Sequence, residues 1–273
     1  MIIKNISIKN LGFADQLSLD FDNTVNTIKT RESSEIAFAI KVILNNKSVP
    51  CPPLLRVGAD TEIMADVIAD GKLYRISATY DQTAKKLSVL AKDEKGEDVT
   101  KEYLYISEHC EAQDNAEIFN GDERDHHLSL CRYINAEYLY AQSELKKKTR
   151  GYSSLKSFRS QLLRFFKNFT PEPLRLGKQY EIILERNGIY NVQHSNNKAE
   201  KVYLSDCEQM LFNYLCFLRT AEFWREFEEL RNLHATKKPI LVKNFLNRLD
   251  ESVDASNLIK RTSDLGRQVI ILN

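Results

Sequence analysis

The chain is poor in glycine, with 9 residues in 273, about half the usual share. The nearest pair, Gly177 and Gly188, is 11 positions apart, so no G-x-G, G-x-S-x-G or G-x-x-x-x-G-K-[ST] exists. A glycine-rich phosphate loop brings backbone amides against the ligand where a Cβ would collide, and an intact loop of that kind is therefore excluded. The glycine-flanked serine elbow of hydrolases is excluded with it. Long apolar runs are missing too, and none approaches the ~18 residues of a membrane span. The opening Met1-Ile2-Ile3-Lys4-Asn5 reads as a strand, without a signal-peptide layout. Five cysteines (Cys51, Cys110, Cys131, Cys207, Cys216) are odd in number and form neither C-x-x-C nor a zinc spacing. Without a secretory signal they read as reduced thiols of a cytoplasmic protein.

What is present is the composition of a globular chain, 42% apolar and 28% charged, with 39 Lys and Arg against 38 Asp and Glu for a net charge of +1. The balance hides one asymmetry. Lys146, Lys147, Lys148, Arg150, Lys156, Arg159, Arg164 and Lys167 fall in a stretch with no acidic residue. Aromatics interleave with them, so the segment could track the phosphates of DNA or RNA. It could equally be the solvated face of a helix whose Leu155, Phe158, Leu162, Phe165 and Phe166 point inward. His109, Cys110, His126 and His127 are the only metal candidates, and no ligand spacing supports them, so no metal site is expected.

Alternation predicts strands over 2–9, 17–21 and 25–28, then a helix carrying Ile36, Ala39, Ile40, Ile43 and Leu44, with Ser33 or Ser34 as its N-cap. Residues 56–106 read as a run of antiparallel strands, with Asp70-Gly71 as a hairpin turn. A strand over 132–140, a basic helix over 153–168 and a hairpin at Asn187-Gly188 follow. A long helix fits 207–234, a short buried strand 239–242, a helix 258–265 and a last apolar strand 269–272. No internal repeat is visible.

This order, with Ile6-Ser-Ile-Lys-Asn-Leu-Gly-Phe13 at the start, resembles an ABC-type ATPase head of the SMC/RecF kind. Leu204-Ser205-Asp206-Cys207-Glu208-Gln209 resembles the family's signature L-S-x-G-E-Q. Pro239-Ile-Leu-Val-Lys-Asn-Phe245 resembles its Walker B strand, Leu249-Asp250 its D-loop and Arg267-Gln-Val-Ile-Ile-Leu272 its last strand. The resemblance implies a P-loop NTPase-like α/β fold, a mixed sheet with an antiparallel β subdomain and a helical insertion. It also implies a single domain over 1–273, with the antiparallel layer at 56–106, a helical and basic insertion at 140–200 and a signature-to-Walker-B lobe at 201–273.

The same resemblance assigns no catalytic residue. The three glycines of the phosphate loop fall on Thr30, Ser33 and Glu35, its Lys on Ile36 and its Mg²⁺-binding hydroxyl on Ala37. Hydrocarbon replaces an ammonium, and the Glu35 carboxylate would repel a triphosphate. The Walker B Asp falls on Lys243 and its general base on Asn244, which can neither ligate Mg²⁺ nor take a proton. The switch His falls at or beyond Asn273, and Gln142 is a guess for the Gln-loop. Lys243 could neutralise Asp250 or Glu251, or end a solvated strand. The signature keeps Ser205, Glu208 and Gln209, with Cys207 at the glycine position, and in the family it acts on a partner's ATP. Ser205 with Glu208 three residues on is also an ordinary capping box, and Cys207 is a thiol at a helix N-terminus.

The expectations are thus a pseudo-ATPase with no cofactor of its own beyond weak or shared ATP binding. Its partners would be a second copy or an SMC/RecF-like ATPase, without a membrane. The alternative is a nucleic-acid-binding module in repair or a mobile element, and an unrelated His/Cys enzyme comes last.

Overall fold

The computed structural model describes residues 1–45, 55–56, 58–81, 83, 86–109, 118–120, 174–176, 180–184, 190–194, 196, 204–231, 238–249 and 253–273. The 132–140 strand, the Asn187-Gly188 turn and the whole basic stretch lie outside the described residues, as do Cys110, His126, His127, Gln142, Asp250 and Glu251. The chain gathers into two compact units. The first holds Met1–Ile118, Ala235–Asn244 and Gly266–Asn273, and the second Phe119–His234 and Phe245–Leu265.

In the first unit, β1 (Ile2–Leu11), β2 (Ala14–Asp20), β4 (Thr61–Ala69), β5 (Lys72–Asp81) and β6 (Lys86–Lys92) form an antiparallel five-stranded sheet in the order β2-β1-β4-β5-β6. Period-2 alternation puts Ile6, Ile8, Ile63, Ala65, Val67 and Ile76 on its buried face. The β4–β5 turn is made by Asp70 and Gly71, with φ of 49° and 76°. Two successive left-handed residues are what a tight hairpin turn needs, and Asp-Gly supplies them at little steric cost. A second sheet runs in the order β3-β12-β11-β7, from β3 (Val25–Ile28), β12 (Val269–Leu272), β11 (Ile240–Lys243) and β7 (Ile118–Asn120), the strand in which the first unit ends. β3, β12 and β11 pair in parallel, and all four residues of β12 are buried. Such strands read as unbroken apolar runs because neither face meets water.

Helix α1 (Ser33–Asn45) sends Ile36, Ala39, Ile40 and Ile43 into the same core. Its first helical residue is Ser33, so the serines expected as N-caps lie inside the first turn instead. The run of strands predicted to 106 ends at β6, and Thr100–His109 forms helix α2. Asp98 accepts the Thr100 N–H at 2.9 Å ahead of the first turn. One turn later Tyr103 is fully buried, stacks obliquely on Tyr74 at 5.4 Å and donates to the Ile43 carbonyl at 2.7 Å. Burial of that ring on α1 overrides the weak alternation of the segment.

α2 is also tied to β5 through a charge. Glu102 Oε1 accepts from Lys72 Nζ at 2.6 Å and from the Tyr74 hydroxyl at 2.9 Å. Lys72 first and Tyr74 second hold the Glu102 carboxyl below its ordinary 4.5, while burial pushes the Tyr74 phenol up. A carboxyl that is more acidic in the folded chain than in the unfolded one favours folding above its unfolded value. That contribution disappears as pH falls through the folded value. Stability is therefore expected to fall below about pH 4.5, with the fall blunted in Glu102→Gln, as read by urea denaturation across an acid series.

A buried glutamine joins the two ends of the first unit. The Gln268 side chain accepts from Ile3 N–H at 2.9 Å and donates to Ile3 O at 2.7 Å and Asp22 O at 2.9 Å. Gln268→Leu would leave those backbone groups buried without partners. It is expected to lower stability by about 2–3 kcal/mol in chemical denaturation.

In the second unit, β8 (Leu174–Leu176), β9 (Tyr180–Leu184) and β10 (Tyr190–His194) form an antiparallel sheet in the order β10-β9-β8. Helix α3 (Asp206–Arg231) is bound to helix α4 (Ala255–Ser263), which begins three residues earlier than the sequence predicts. Asp254 fixes that start by accepting the Asn257 N–H. The Tyr214 hydroxyl meets Thr262 Oγ1 at 2.5 Å and the Tyr214 ring meets Phe245 at 4.0 Å. Burial pushes the Tyr214 phenol up to about 12, so it stays a neutral hydrogen-bonding group.

Candidate functional site

The segment between β3 and α1, where the phosphate loop is expected, is closed on itself. Thr30 N–H donates to Asn273 O at 3.1 Å, and Asn273 N–H donates to Ile28 O at 3.0 Å. Thr30 Oγ1 accepts the Glu32 N–H at 3.2 Å, and its hydroxyl donates to Glu32 Oε2. Arg31 Nε donates to Glu32 Oε1 at 3.0 Å. The Thr30 hydroxyl first, then the Arg31 guanidinium, hold the Glu32 carboxyl below the usual carboxylate range. Anion cradles work by leaving successive N–H groups turned toward the ligand. Here Thr30 and Glu32 have theirs engaged within the chain.

α1 begins early relative to the expected loop. Ser33, Ser34 and Glu35, which would arch over phosphates, form its first turn, with Ile36 N–H on Glu32 O at 3.0 Å. Ile36 and Ala37, where the sequence reading expects the phosphate Lys and the Mg²⁺ hydroxyl to fall, are 0% and 7% exposed and belong to the core. Glu35 corrects the expectation of a carboxylate facing the loop. It is 1% exposed and lies under the β1–β2 turn, where Oε1 accepts the Phe13 N–H at 3.0 Å. Its Oε2 is buried without a hydrogen-bond partner among the described residues.

Lys243, at the end of β11, is half-buried and donates from Nζ to Ser34 Oγ at 2.8 Å. The structure thus gives Lys243 a hydroxyl partner on α1. The expected partners Asp250 and Glu251 lie outside the described residues. Asn244 follows in a left-handed conformation with φ 52°, its N–H on Leu272 O at 2.9 Å. An ammonium therefore stands at the N-terminal end of α1, the end at which a cation gains nothing from the helix dipole.

The signature-like residues open α3. Ser205 N–H donates to Glu208 Oε2 at 2.9 Å, and Glu208 N–H donates to Ser205 Oγ at 3.3 Å. This is the reciprocal capping box that the S-x-x-E spacing allows. Leu204 is half-buried and Ser205 exposed. Gln209 N–H closes the first turn on Ser205 O at 2.8 Å and its side chain donates to Asn213 Oδ1 at 3.2 Å. Cys207 is a free thiol whose Sγ donates to Arg248 O at 3.4 Å.

Among the described residues, no cluster of His, Cys, Asp and Glu could hold a metal, and no helix is long and apolar enough to cross a membrane. The motifs carry no signal of Ser34 as the partner of Lys243 or of Thr30 Oγ1 as the acceptor of the Glu32 N–H. A hydroxyl three residues before Ala37 carries no signal of a partner 209 positions away.

No protein-family model and no curated protein matches the chain. Solved structures do match its fold. The recombination mediator protein RecF bound to ATP aligns over 100% of this chain and 93% of its own, at 16% identity and a TM-score of 0.52. The SMC head domain of Thermotoga maritima covers 100% and 89%, at 16% identity and 0.51. The Smc head of Pyrococcus furiosus, solved with the C-terminal domain of ScpA, covers 100% and 89%, at 14% identity and 0.55. The chain accordingly has the mixed α/β fold of these RecF and SMC head structures, with an antiparallel sheet and several helices.

Proposed function

We propose that the chain is a head of this fold that does not hydrolyse ATP and works as a binding and assembly protein. It would pair through the face that carries nucleotide in its structural neighbours, with a second copy or with an active SMC/RecF-like head. In a mixed pair, Ser205 and the N-terminus of α3 would be offered to the partner's ATP. The observation that carries this reading is the burial of Ile36, a hydrocarbon with no exposure, which the sequence motif sets where a phosphate-binding Lys would fall. The closed 29–32 segment and the ammonium of Lys243 at the metal position support it. Phosphoryl transfer to water depends on charge held close to the phosphates, and among the described residues around Thr30–Ala37 and Lys243 none is a free carboxylate or a glycine cradle that would supply it. The purified chain with Mg²⁺ and ATP is expected to release phosphate at the rate of a protein-free control. Turnover above that control would overturn the proposal.

The eight cations between Lys146 and Lys167 favour a second reading, contact with a nucleic-acid backbone. Affinity for duplex DNA would then fall steeply with salt, and reversing Lys146, Lys147 and Lys148 to Glu would reduce the salt slope by about 3. Retardation unchanged by salt or by those reversals would remove this reading.

A further inference from the structure

The Glu35 carboxylate is buried where two elements of the first unit meet, the β1–β2 turn and the first turn of α1, and only half of it is satisfied. Oε1 accepts the Phe13 N–H at 3.0 Å, while Oε2, in a residue 1% exposed, has no hydrogen-bond partner among the described residues. Water would hydrate that oxygen fully, so burial without a donor works against the placement. The carboxylate fits under the turn because Gly12 has no side chain: a Cβ there would stand 2.1 Å from Oε1. The two elements resist movement unequally. The β1–β2 turn is clamped from several sides. Arg56 Nε donates to Gly12 O at 2.7 Å and its guanidinium pairs with Asp15. Thr61 Oγ1 donates to Asn10 O at 2.8 Å, and Asn10 Nδ2 donates to Asp60 O at 3.1 Å. The start of α1 is held more lightly, by Ile36 N–H on Glu32 O at 3.0 Å and by Lys243 Nζ on Ser34 Oγ at 2.8 Å.

We propose that Glu35 is a latch: the first turn of α1 unwinds reversibly over Ser33–Glu35 when the carboxylate leaves for water, and the same movement uncovers the Phe13 N–H and releases Lys243 from Ser34. The carboxylate leaves by way of α1 because that side has the fewer bonds to break. Thr30, bonded to Asn273 O, and Ile36, fully buried in the core, are the fixed ends between which the chain bows out. Opening exchanges one charge-assisted hydrogen bond and two weaker contacts for full hydration of a carboxylate, so the two states are close in free energy. Local openings of this kind lie well below global unfolding. In the closed state the Lys243 ammonium is engaged by Ser34. In the open state it is available to an anionic group, and the turn that displays Phe13, 76% exposed, is no longer tied to α1. One side chain thus links the exposed aromatic of the β1–β2 turn to the cation at the end of β11, and two discrete arrangements of that side chain are what a coupling between two points requires.

The latch lies entirely within the first unit and does not depend on the proposed loss of ATP hydrolysis. Amide hydrogen exchange of the full chain, read by NMR at neutral pH, tests it, since the Phe13 and Ile36 N–H groups are the donors that opening uncovers. Both are expected to open with the same equilibrium constant, within about threefold, and about a hundredfold or more above Ile40 and Ile43 of the same helix. Gly12→Ala drives the carboxylate out, so both amides should open about tenfold or more above the parent chain, measured against Ile40 and Ile43. Gly71→Ala, whose Cβ meets nothing, should leave both unchanged on that measure. Glu35→Met keeps an unbranched side chain in place and removes the charge that seeks water. It should slow Ile36 by about tenfold or more while quickening Phe13, which loses its acceptor. Were Glu35 only an anchor, the same substitution would quicken both. Phe13 protected as fully as Ile40, opening constants of Phe13 and Ile36 that differ beyond the stated margin, or a methionine variant in which Ile36 exchanges faster, would each overturn the inference.

Discussion

Ile36→Lys, which restores the residue a phosphate loop requires, is expected to cost about 4–5 kcal/mol of stability and to confer no ATP binding. Ile36 has 0% exposure and packs in the core with Ile40 and Ile43 of its own helix. An ammonium placed there loses its hydration, which carries a penalty of several kcal/mol even after relaxation. Shedding the proton instead means lowering its pKa by some 3–4 units, at 1.36 kcal/mol each. The apolar contacts of the isoleucine vanish in either case, and the helix N-terminus adds repulsion to a charged lysine. The size of the change is not the cause, so Ile36→Met, similar in volume and apolar, should cost under about 1.5 kcal/mol. Urea denaturation measures the stabilities, and calorimetric titration with ATP in the presence of Mg²⁺ measures binding. A lysine variant as stable as the methionine variant would show that position 36 reaches solvent. If it also bound ATP, the phosphate loop would be one substitution from repair, and the pseudo-ATPase proposal would fall.

α1 and most strands of the first unit's two sheets, though not β7, were legible in the sequence because their signals are local. Alternation in 2–9 and 62–80, the Asp70-Gly71 turn, the apolar run 269–272 and the stripe from Ile36 to Leu44 each depend on neighbours a few positions away. The capping box at Ser205 and Glu208 was legible for the same reason, since a three-residue spacing states its own geometry. α2 was not. Its helical start rests on Asp98, and its reason for being a helix rests on Tyr103 reaching α1, a partner 60 positions back. The interior of the site was hidden further still. Lys243 and Ser34 are 209 positions apart, and Gln268 and Ile3 are 265 apart. Pairs so distant leave no periodic trace in a single sequence. The family resemblance gives only an expectation of which residues stand where catalytic groups would be. It did not reveal that Glu35 turns inward or that α1 starts at Ser33, because residue type does not fix the path of the backbone.

Gly12→Ala is expected to destabilise the chain by about 3–4 kcal/mol, for two separable reasons. The first is conformational: Gly12 has φ +55°, where an added Cβ crowds the following carbonyl at a cost of about 1–2 kcal/mol. The second is a collision. A Cβ on Gly12 would stand 2.1 Å from Glu35 Oε1, the oxygen that accepts the Phe13 N–H. The carboxylate would have to move while buried, breaking a charge-assisted hydrogen bond worth about 1.5–3 kcal/mol. Arg56 stiffens the same turn by donating from Nε to Gly12 O at 2.7 Å, so the backbone has little freedom to retreat. Gly71 and Gly96 separate the two reasons. Their φ values are +76° and +85°, yet nothing lies within 4 Å of a Cβ at either. Gly71→Ala and Gly96→Ala should therefore show the conformational cost alone, about 1–2 kcal/mol. A cycle with Glu35→Ala closes the test. With the carboxylate gone, the cost of Gly12→Ala should drop to that of the two control glycines, a coupling of about 2 kcal/mol. Equal losses at Gly12 and the controls, with no coupling to Glu35, would mean that the carboxylate does not lie under the turn. The first turn of α1 would then be free to open toward a ligand.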